Sequence, residues 1–325
     1  PPEAPEGVSA EPGNREVVID WSANTEPDLA GYSVLRSLVP GGPYDPVTGA
    51  LLTETGFTDP DVELGTTYFY VVEAEDLQGA LSDPSIEASA APDRAYVLVI
   101  NDEGDPVYQM SVAQAVLDSG YFVDQWDVRN LGSPQLTDIE TYDTVIWNLG
   151  PEYSATISTE EQATLATYLD GGGKLAIFGQ DLIYDLGTTN SFLNTYLHVV
   201  GANQDSCGSL LYGEVDDPVS DGMLLPLNTP FGNTCDTITP DGTAVTVFAN
   251  DLGDPVALRA EGVTYSRVFF GAFAFEGISD TDPPPNNQAT LIDNLLGWFG
   301  EEVGLLFADG FEDGTTNAWS GVAGN

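Results

Sequence analysis

The chain has 325 residues and an extreme acidic balance, with 52 Asp and Glu side chains against 7 Lys and Arg and a formal charge of -45. This composition excludes binding to nucleic acid and to anionic membranes, because both require basic patches. A hydrophobic content of 42% is sufficient for packed cores and excludes a disordered acidic tail.

The charge also predicts where the protein works. Self-repulsion on this scale costs stability unless counterions neutralise it, which indicates a cation-rich medium outside the cell or at its surface. Calcium is the expected cofactor, because it binds carboxylate and carbonyl oxygens in flexible shells, and no organic cofactor is expected. No apolar run approaches the roughly 18 residues needed to span a bilayer, so no membrane insertion is expected. A start at Pro1 without an initiator Met predicts a mature, exported chain.

Residues 1–92 are predicted to form an all-β domain. Apolar and polar positions alternate over 16–21, 31–36 and 67–74, and turns rich in Pro, Gly and Asp separate these runs. Strands at such regular spacing are typical of a β-sandwich.

The same segment resembles a fibronectin type III domain. The residues that carry the resemblance are those of its first three strands, of its strand F with the tyrosine corner, and of the turn into its last strand: 5–8, 18–22, 28–32, 64–74 and 77–85. The resemblance implies a spacer or binding module, with Trp21 and Tyr68 in the core rather than on a ligand.

Residues 93–301 are predicted to form an α/β domain. Apolar strands are expected at 96–100, 122–128, 144–148 and 174–178, with helices at 107–118, 159–169 and 288–299. Ser158 and Glu161 have the spacing of a capping box before the second helix. Alternating strands and helices predict a parallel sheet with helices on both faces. A β extension is expected over 244–248, 255–260 and 266–273.

This second segment resembles the flavodoxin-like domain related to class I glutamine amidotransferases, which occurs as a non-catalytic module in secreted bacterial proteins. The matching stretches are 97–102, 142–147, 171–181 and 294–299. The family's chemistry needs a nucleophilic Cys on a strand-to-helix turn, activated by a His. Here the turn carries Gly179-Gln180-Asp181, and the lone His198 lies in an apolar stretch, 192–200, predicted to be helical. The chain is therefore predicted not to be an enzyme.

Cys207 and Cys235 are the only cysteines. In an exported chain, an isolated pair is most simply one disulfide, closing a loop of about 28 residues. The alternative is two buried thiols in a cytosolic protein.

Residues 302–325 are predicted to form a short C-terminal β tail. Phe307-Ala308-Asp309-Gly310-Phe311-Glu312-Asp313-Gly314 and Trp319-Ser320 resemble a C-terminal motif of exported bacterial proteins. A tail strand that adds to a neighbour's exposed sheet edge would join subunits. Phe307, Phe311 and Trp319 are the predicted assembly anchors.

Candidate calcium ligands fall into three acidic clusters, each of which has a solvated loop as its alternative. They are Asp102, Glu103 and Asp105 after the first α/β strand, Asp280 and Asp282 before a proline run, and Asp309, Glu312 and Asp313 in the tail. Short Asp and Gly loops allow several oxygens to converge on one cation. None of the three matches an EF-hand loop.

Three functions remain open at this point. The main hypothesis is a non-enzymatic extracellular structural or cell-surface protein that self-assembles into a filament or surface layer through its tail, with a calcium-stabilised surface. The second is an accessory, non-catalytic module of a secreted hydrolase or peptidase. The third is a carbohydrate-binding adhesin that stacks glycans on Tyr153, Tyr184 and Tyr212.

Overall fold

A computed structural model of the protein describes residues 1–64, 66–92, 95–103, 111–229, 231–262 and 266–301. These residues form two compact units, one ending at 92 and one running from 95 to 301. Several predicted site residues lie outside the described residues, namely Asp105, Phe307, Asp309, Phe311, Glu312, Asp313 and Trp319. Among the helices that are described, none combines the length and the apolar character needed to cross a membrane.

The first unit is a sandwich of two antiparallel sheets. Its strands are β1 (Ser9–Gly13), β2 (Glu16–Asp20), β3 (Leu29–Ser37), β4 (Asp45–Pro46), β5 (Gly56–Asp59), β6 (Tyr68–Asp76) and β7 (Ala88–Ala90). One sheet has the order β1-β2-β5 and the other the order β4-β3-β6-β7. Seven strands divided three and four in this way have the arrangement of a fibronectin type III sandwich.

Alternation along each strand fills the space between the two sheets. Val17 and Ile19 of β2 are fully buried, and the ring of Trp21 packs edge-on against Tyr32 with centroids 5.3 Å apart. The hydroxyl of Tyr68 accepts a hydrogen bond from the backbone N–H of Glu63 at 2.9 Å, which is the geometry of a tyrosine corner. Trp21 and Tyr68 are therefore core residues, as the sequence predicts.

The second unit is built on a nine-stranded mixed sheet with the order β14-β13-β16-β17-β18-β11-β10-β8-β9, beside a two-stranded ribbon of β12 and β15. Its strands are β8 (Val97–Asn101), β9 (Val123–Asp127), β10 (Thr144–Asn148), β11 (Lys174–Phe178), β12 (Val199–Asn203), β13 (Leu210–Gly213), β14 (Leu224–Pro226), β15 (Thr237–Pro240), β16 (Val245–Ala249), β17 (Pro255–Glu261) and β18 (Arg267–Gly271). Its helices are α1 (Ser111–Asp118), α2 (Val128–Leu131), α3 (Leu136–Ile139), α4 (Thr159–Asp170), α5 (Leu182–Leu186), α6 (Ser191–Thr195) and α7 (Gln288–Phe299), with a 3-10 turn at Phe275–Gly277.

Five of the strands, in the order β9-β8-β10-β11-β18, are mutually parallel. Counted along the chain this is the order 2-1-3-4-5, which is common among doubly wound α/β sheets. The other four strands of the sheet pair antiparallel. The expected parallel sheet is thus the core of a larger mixed one, and β18 is a parallel strand rather than part of the extension.

Two apolar layers cover the parallel strands. Consecutive residues of β8 alternate between the layers: Val97 and Val99 pack with α1 and α7, whereas Leu98 and Ile100 pack with α3 to α6. Because both faces are covered, the whole strand is apolar rather than alternating. Because side chains alternate between the two layers, each residue that follows a strand also points towards one layer or the other.

The predicted helix over 192–200 is wrong. α6 ends at Thr195, and the chain enters β12 at Val199 through His198, whose φ is +59°. The Nδ1 atom of His198 lies 2.8 Å from Asp241 Oδ2 and 2.9 Å from Thr243 Oγ1. His198, the only histidine, therefore stabilises a turn at the edge of the ribbon. The apolar residues before this turn belong to α6, and those after it belong to β12.

Candidate functional site

A pocket of about 440 Å³ opens at the carboxyl ends of β10 and β11. Open α/β sheets commonly bind ligands at this edge, because the loops that follow parallel strands meet there. The lining side chains come from four separate loops and from α5: Tyr153, Gln180, Asp181, Tyr184, Gln204, Asp205, Phe231 and Thr234.

Three aromatic side chains line the pocket, Tyr153, Tyr184 and Phe231, and the two tyrosines are exposed. Tyr153 is 65% exposed and Tyr184 is 58% exposed, although both carry large apolar rings. Such rings present an apolar face to a ligand and a hydroxyl at the edge. Tyr212, the third tyrosine singled out in the sequence, belongs to β13 and is not among the residues that line this pocket.

Hydrogen bonds between loops fix the polar part of the pocket. The hydroxyl of Thr234 donates to Asp181 Oδ2 at 2.7 Å, and the Gln180 amide donates to the carbonyl of Gly232 at 3.2 Å. Burial raises the pKa of Asp181 above its usual range, although the Thr234 bond acts in the opposite direction. The carboxylate and amide edges are therefore held in place before any ligand binds.

A third carboxyl group lies beneath the pocket. Asp236 is buried, and its Oδ1 atom accepts a hydrogen bond from the backbone N–H of Asp205 at 3.1 Å. Burial, followed by the nearby charges of Asp181 and Asp205, raises the pKa of Asp236 to about 7. The raised pKa brings the titration of this carboxyl group close to neutral pH, whereas Asp181 and Asp205 line the pocket.

The predicted disulfide between Cys207 and Cys235 is present. Backbone N–H groups of Ser206 and Cys207 both donate to the carbonyl of Cys235, at 3.0 and 3.2 Å. The bridge therefore ties the loop that carries Asp205 to the loop that carries Thr234, and both loops line the pocket.

Two of the predicted calcium ligands, Asp102 and Glu103, have separate hydrogen-bond partners. Asp102 accepts a hydrogen bond from the Trp147 indole at 3.1 Å, whereas Glu103 accepts one from the Asn148 amide at 2.7 Å. Asp280 and Asp282 lie on an exposed turn. In the described ranges, no three His, Cys, Asp or Glu side chains are grouped to hold a metal ion. Calcium binding stays a prediction.

Burial raises the pKa of Asp102 to about 7, with a further contribution from the charge of Glu161. Burial and the neighbouring carboxylate of Glu276 raise the pKa of Glu103 to about 9. Sequence analysis did not single out Glu276 or Asn148, nor the pocket residues Asp181 and Asp205 as ligand-binding groups. The only indication for Asp181 in the sequence was its position three residues after the strand predicted at 174–178.

Comparison with known proteins shows local similarity. No family model matches the chain. Amylopullulanases of Thermoanaerobacterium saccharolyticum and Thermoanaerobacterium thermosulfurigenes are each 36% identical to it over 91 residues. The similarity covers 28% of this chain but only 7% and 5% of the two relatives. The chain therefore spans a small part of the length of these enzymes.

Among solved structures, an Fn3-like protein from Clostridium thermocellum is 33% identical, covering 29% of this chain and 95% of that one with a TM-score of 0.25. A β-1,2-glucanase from Parabacteroides distasonis is 24% identical, covering 37% and 16% with a TM-score of 0.26. The assignment of the first unit rests on its own strands. By its strand order and tyrosine corner it is a fibronectin type III-like sandwich, in a chain that shares a 91-residue segment with two amylopullulanases.

Proposed function

We propose that this chain is an accessory, non-catalytic part of an exported hydrolase, and that the pocket of its second unit binds a polysaccharide. The observation that carries the proposal is the pocket itself, where Tyr153 and Tyr184 stand exposed beside Asp181 and Asp205. The similarity to two amylopullulanases supports an enzyme-associated role and suggests pullulan or amylose as the ligand.

The pocket suits a sugar for a physical reason. A pyranose ring has apolar C–H faces and a rim of hydroxyl groups, so it needs a flat apolar surface and polar groups at its edge. The tyrosine rings supply the surface, and the carboxylate and amide groups of Asp181, Asp205 and Gln180 supply hydrogen-bond partners. An open pocket with few preorganised polar groups favours moderate affinity for a repeating polymer over tight binding of one small molecule.

In this role the pocket binds the polysaccharide and does not hydrolyse it. A glycosidase needs two carboxyl groups that both reach the scissile bond, one of them protonated. Asp236 is the carboxyl group with a suitable pKa, but it is buried beneath the pocket and does not line it. We also propose that the second unit is a flavodoxin-like domain, which its 2-1-3-4-5 order of parallel strands supports.

The test is binding of the full chain to pullulan and amylose, measured by affinity electrophoresis and by calorimetry with oligosaccharides cut from them. We expect Tyr153→Ala and Tyr184→Ala each to weaken binding by about tenfold, because each removes one stacking face worth about 1.4 kcal/mol. Tyr212→Ala is the matched control, since Tyr212 is 42% exposed but lies on β13 outside the pocket. Equal binding by all four proteins, or no binding to either glucan, would contradict the proposal.

Self-assembly through residues 302–325 remains a second candidate, resting on the sequence of the tail. Light scattering of the full chain and of a form lacking 305–325 distinguishes the two roles. A filament or large oligomer that disappears with the tail favours the structural role. Glucan binding by a species that stays monomeric favours the accessory role.

A further inference from the structure

Four polar side chains meet at the carboxyl edge of the sheet, away from the tyrosine pocket. Asn101 ends β8 and Asn148 ends β10, and the two are register partners on neighbouring parallel strands. Glu103 follows β8, and Glu276 lies in the 3-10 turn. The Asn148 amide donates to Oε1 of both carboxyl groups, at 2.7 Å to Glu103 and 2.5 Å to Glu276.

The alternation of the strands explains why these groups converge. Val99 and Ile146, two residues before the asparagines, lie in the layer that also contains Phe275, the neighbour of Glu276. Asn101 and Asn148 therefore face the 3-10 turn and the first turn of α1, from which Ser111 donates to Glu276 Oε1 at 3.2 Å. Asp102 points to the opposite layer, where it meets Trp147.

This cluster contains a surplus of buried acceptors. Asn101 Oδ1, Glu103 Oε2, Asn148 Oδ1 and Glu276 Oε2 accept no hydrogen bond from any described group, and they are four of the six such buried atoms in the described protein. Glu103 is 1% exposed, and the two asparagines are buried equally well. A buried oxygen without a donor destabilises the fold, and more so when it is charged. These four oxygens need further donors or a cation, beyond the Asn148 amide and the Ser111 hydroxyl.

The described basic groups supply little of that charge. Arg129 is the basic residue that acts on Glu103, and its own guanidinium lies 3.6 Å from Asp127. The Glu103 and Glu276 carboxyl groups accept from the same amide nitrogen of Asn148, so they lie close enough for two unneutralised negative charges to repel each other. A proton, a buried water molecule or a metal ion would supply the missing partner.

We propose that Asn101, Glu103, Asn148 and Glu276 bind one hard divalent cation, with calcium as the preferred ion. The Asn148 amide then turns, so that its oxygen faces the ion in place of the nitrogen that bonds both carboxylates. One proton shared between the carboxyl groups would satisfy those two side chains and leave both amide oxygens without a partner. A divalent cation neutralises two carboxylates and also takes amide oxygens as ligands, with water or backbone carbonyls completing the six to eight positions that calcium prefers. Among the described residues, no group of three His, Cys, Asp or Glu side chains could hold a metal ion. The proposed site is consistent with this, because it has two carboxylates and its other two ligands are amides.

The site lies between the first and third strands of the 2-1-3-4-5 order, where the strand order reverses. Loops leave this point in opposite directions, which opens the edge of the sheet to a ligand. The proposal is independent of glucan binding at Tyr153 and Tyr184, because the two sites share no residue.

Calorimetric titration of the chelator-treated full chain with calcium, and separately with magnesium, tests the proposal. Sodium chloride at about 0.5 M screens diffuse binding to the acidic surface, so that a specific site appears as one saturable equivalent. We expect one equivalent of calcium to bind and to raise Tm, magnesium to bind more weakly, and Glu276→Gln to weaken calcium binding by at least about tenfold.

The exposed pair Glu140→Gln and Asp251→Asn is the control for charge removal and should bind like the wild type. Circular dichroism establishes that Glu276→Gln is folded, and Asn148→Leu provides a second variant if it is not. Absence of a stoichiometric site, or wild-type affinity in both variants, would overturn the proposal. So would a Tm that depends on pH but not on calcium, because a shared proton would then account for the cluster.

Discussion

Asp236 shows how a single buried carboxyl group links stability to pH. Its pKa rises to about 7 because it is buried and because Asp181 and Asp205 face it. In the unfolded chain the same group titrates near 3.9. Between about pH 4 and pH 7 the folded state binds more protons than the unfolded state, so stability is complete below this window and falls as pH rises through it.

We therefore expect Tm to fall between about pH 4 and pH 7. A pKa that rises from about 3.9 to about 7 corresponds to about 4 kcal/mol, and one kcal/mol shifts Tm by about 2–4 °C in a domain of this size. The fall in Tm should therefore be smaller by about 8 °C or more in Asp236→Asn. Differential scanning calorimetry at several pH values measures the slope. Asp251→Asn, at an exposed position, serves as the control and should keep the wild-type slope. An Asp236→Asn slope equal to that of the wild type would show that this carboxyl group does not titrate in the window.

Residue-scale alternation also explains why two adjacent acidic residues have separate partners. Asp102 and Glu103 are adjacent and acidic, which suggests one metal cluster. At the end of a strand, neighbouring side chains point to opposite faces, so Asp102 meets Trp147 while Glu103 meets Asn148. The informative spacing was Asn101 with Glu103, two positions apart, but no pattern in the sequence places Glu276 beside them.

At the element scale, long apolar runs with clear ends were the most predictable part of the fold. The bounds expected for β10, β11 and α7 agree with the structure, because buried parallel strands are continuous apolar runs and α7 has an Asn cap at its start and a glycine at its end. The capping box of Ser158 and Glu161 is present as expected. The short strands β12 to β15 were not predicted, since each is only a few residues long.

The pocket could be predicted only in part. The sequence singled out Tyr153 and Tyr184 as exposed aromatics, but Asp205 and Phe231 reach them from loops that are distant along the chain. The order of strands brings those loops together, and strand order depends on tertiary pairing rather than on local pattern. For the same reason the residues of β18 were expected to belong to the β extension, although β18 pairs in parallel with β11.

Removal of the disulfide between Cys207 and Cys235 should lower stability and weaken glucan binding. Its loop of 28 residues corresponds to about 3–4 kcal/mol in the loop-entropy account. We expect the double variant Cys207→Ser and Cys235→Ser to unfold at a lower urea concentration and to bind glucan more weakly, because the loops of Asp205 and Thr234 lose their tether. Urea unfolding followed by fluorescence measures the first effect and calorimetry the second.

Reduction of the wild-type protein should reproduce the double variant, whereas the same reductant should leave the double variant unchanged. Retention of full glucan affinity after reduction, with lowered stability, would show that the bridge stabilises the unit without shaping the pocket.

On the scale of the whole molecule, three of the seven basic side chains pair with buried carboxylates. Arg36 lies 2.7 Å from Asp59, Arg259 lies 2.7 Å from Asp217, and Lys174 lies 2.7 Å from Glu301; each of these carboxylates is largely shielded from solvent. Removing one partner of such a buried pair strongly destabilises the fold, because the other charge is left buried without a counterion. With 7 basic residues among 52 acids, most of the surface charge has no basic partner and must be neutralised by ions.

This distribution predicts how stability responds to salt. Raising sodium chloride from about 0.1 M to 1 M shortens the Debye length from about 10 Å to 3 Å, which weakens repulsion across the surface far more than attraction within the buried pairs. We expect a net gain of about 2 kcal/mol, or a Tm rise of about 4–8 °C. Calorimetry in sodium chloride and in potassium chloride measures it, and the two salts should act alike if screening is the cause. A rise with only one of them would indicate a specific ion site, and a fall would mean that the ion pairs of Arg36, Lys174 and Arg259 outweigh the repulsion of the acidic surface.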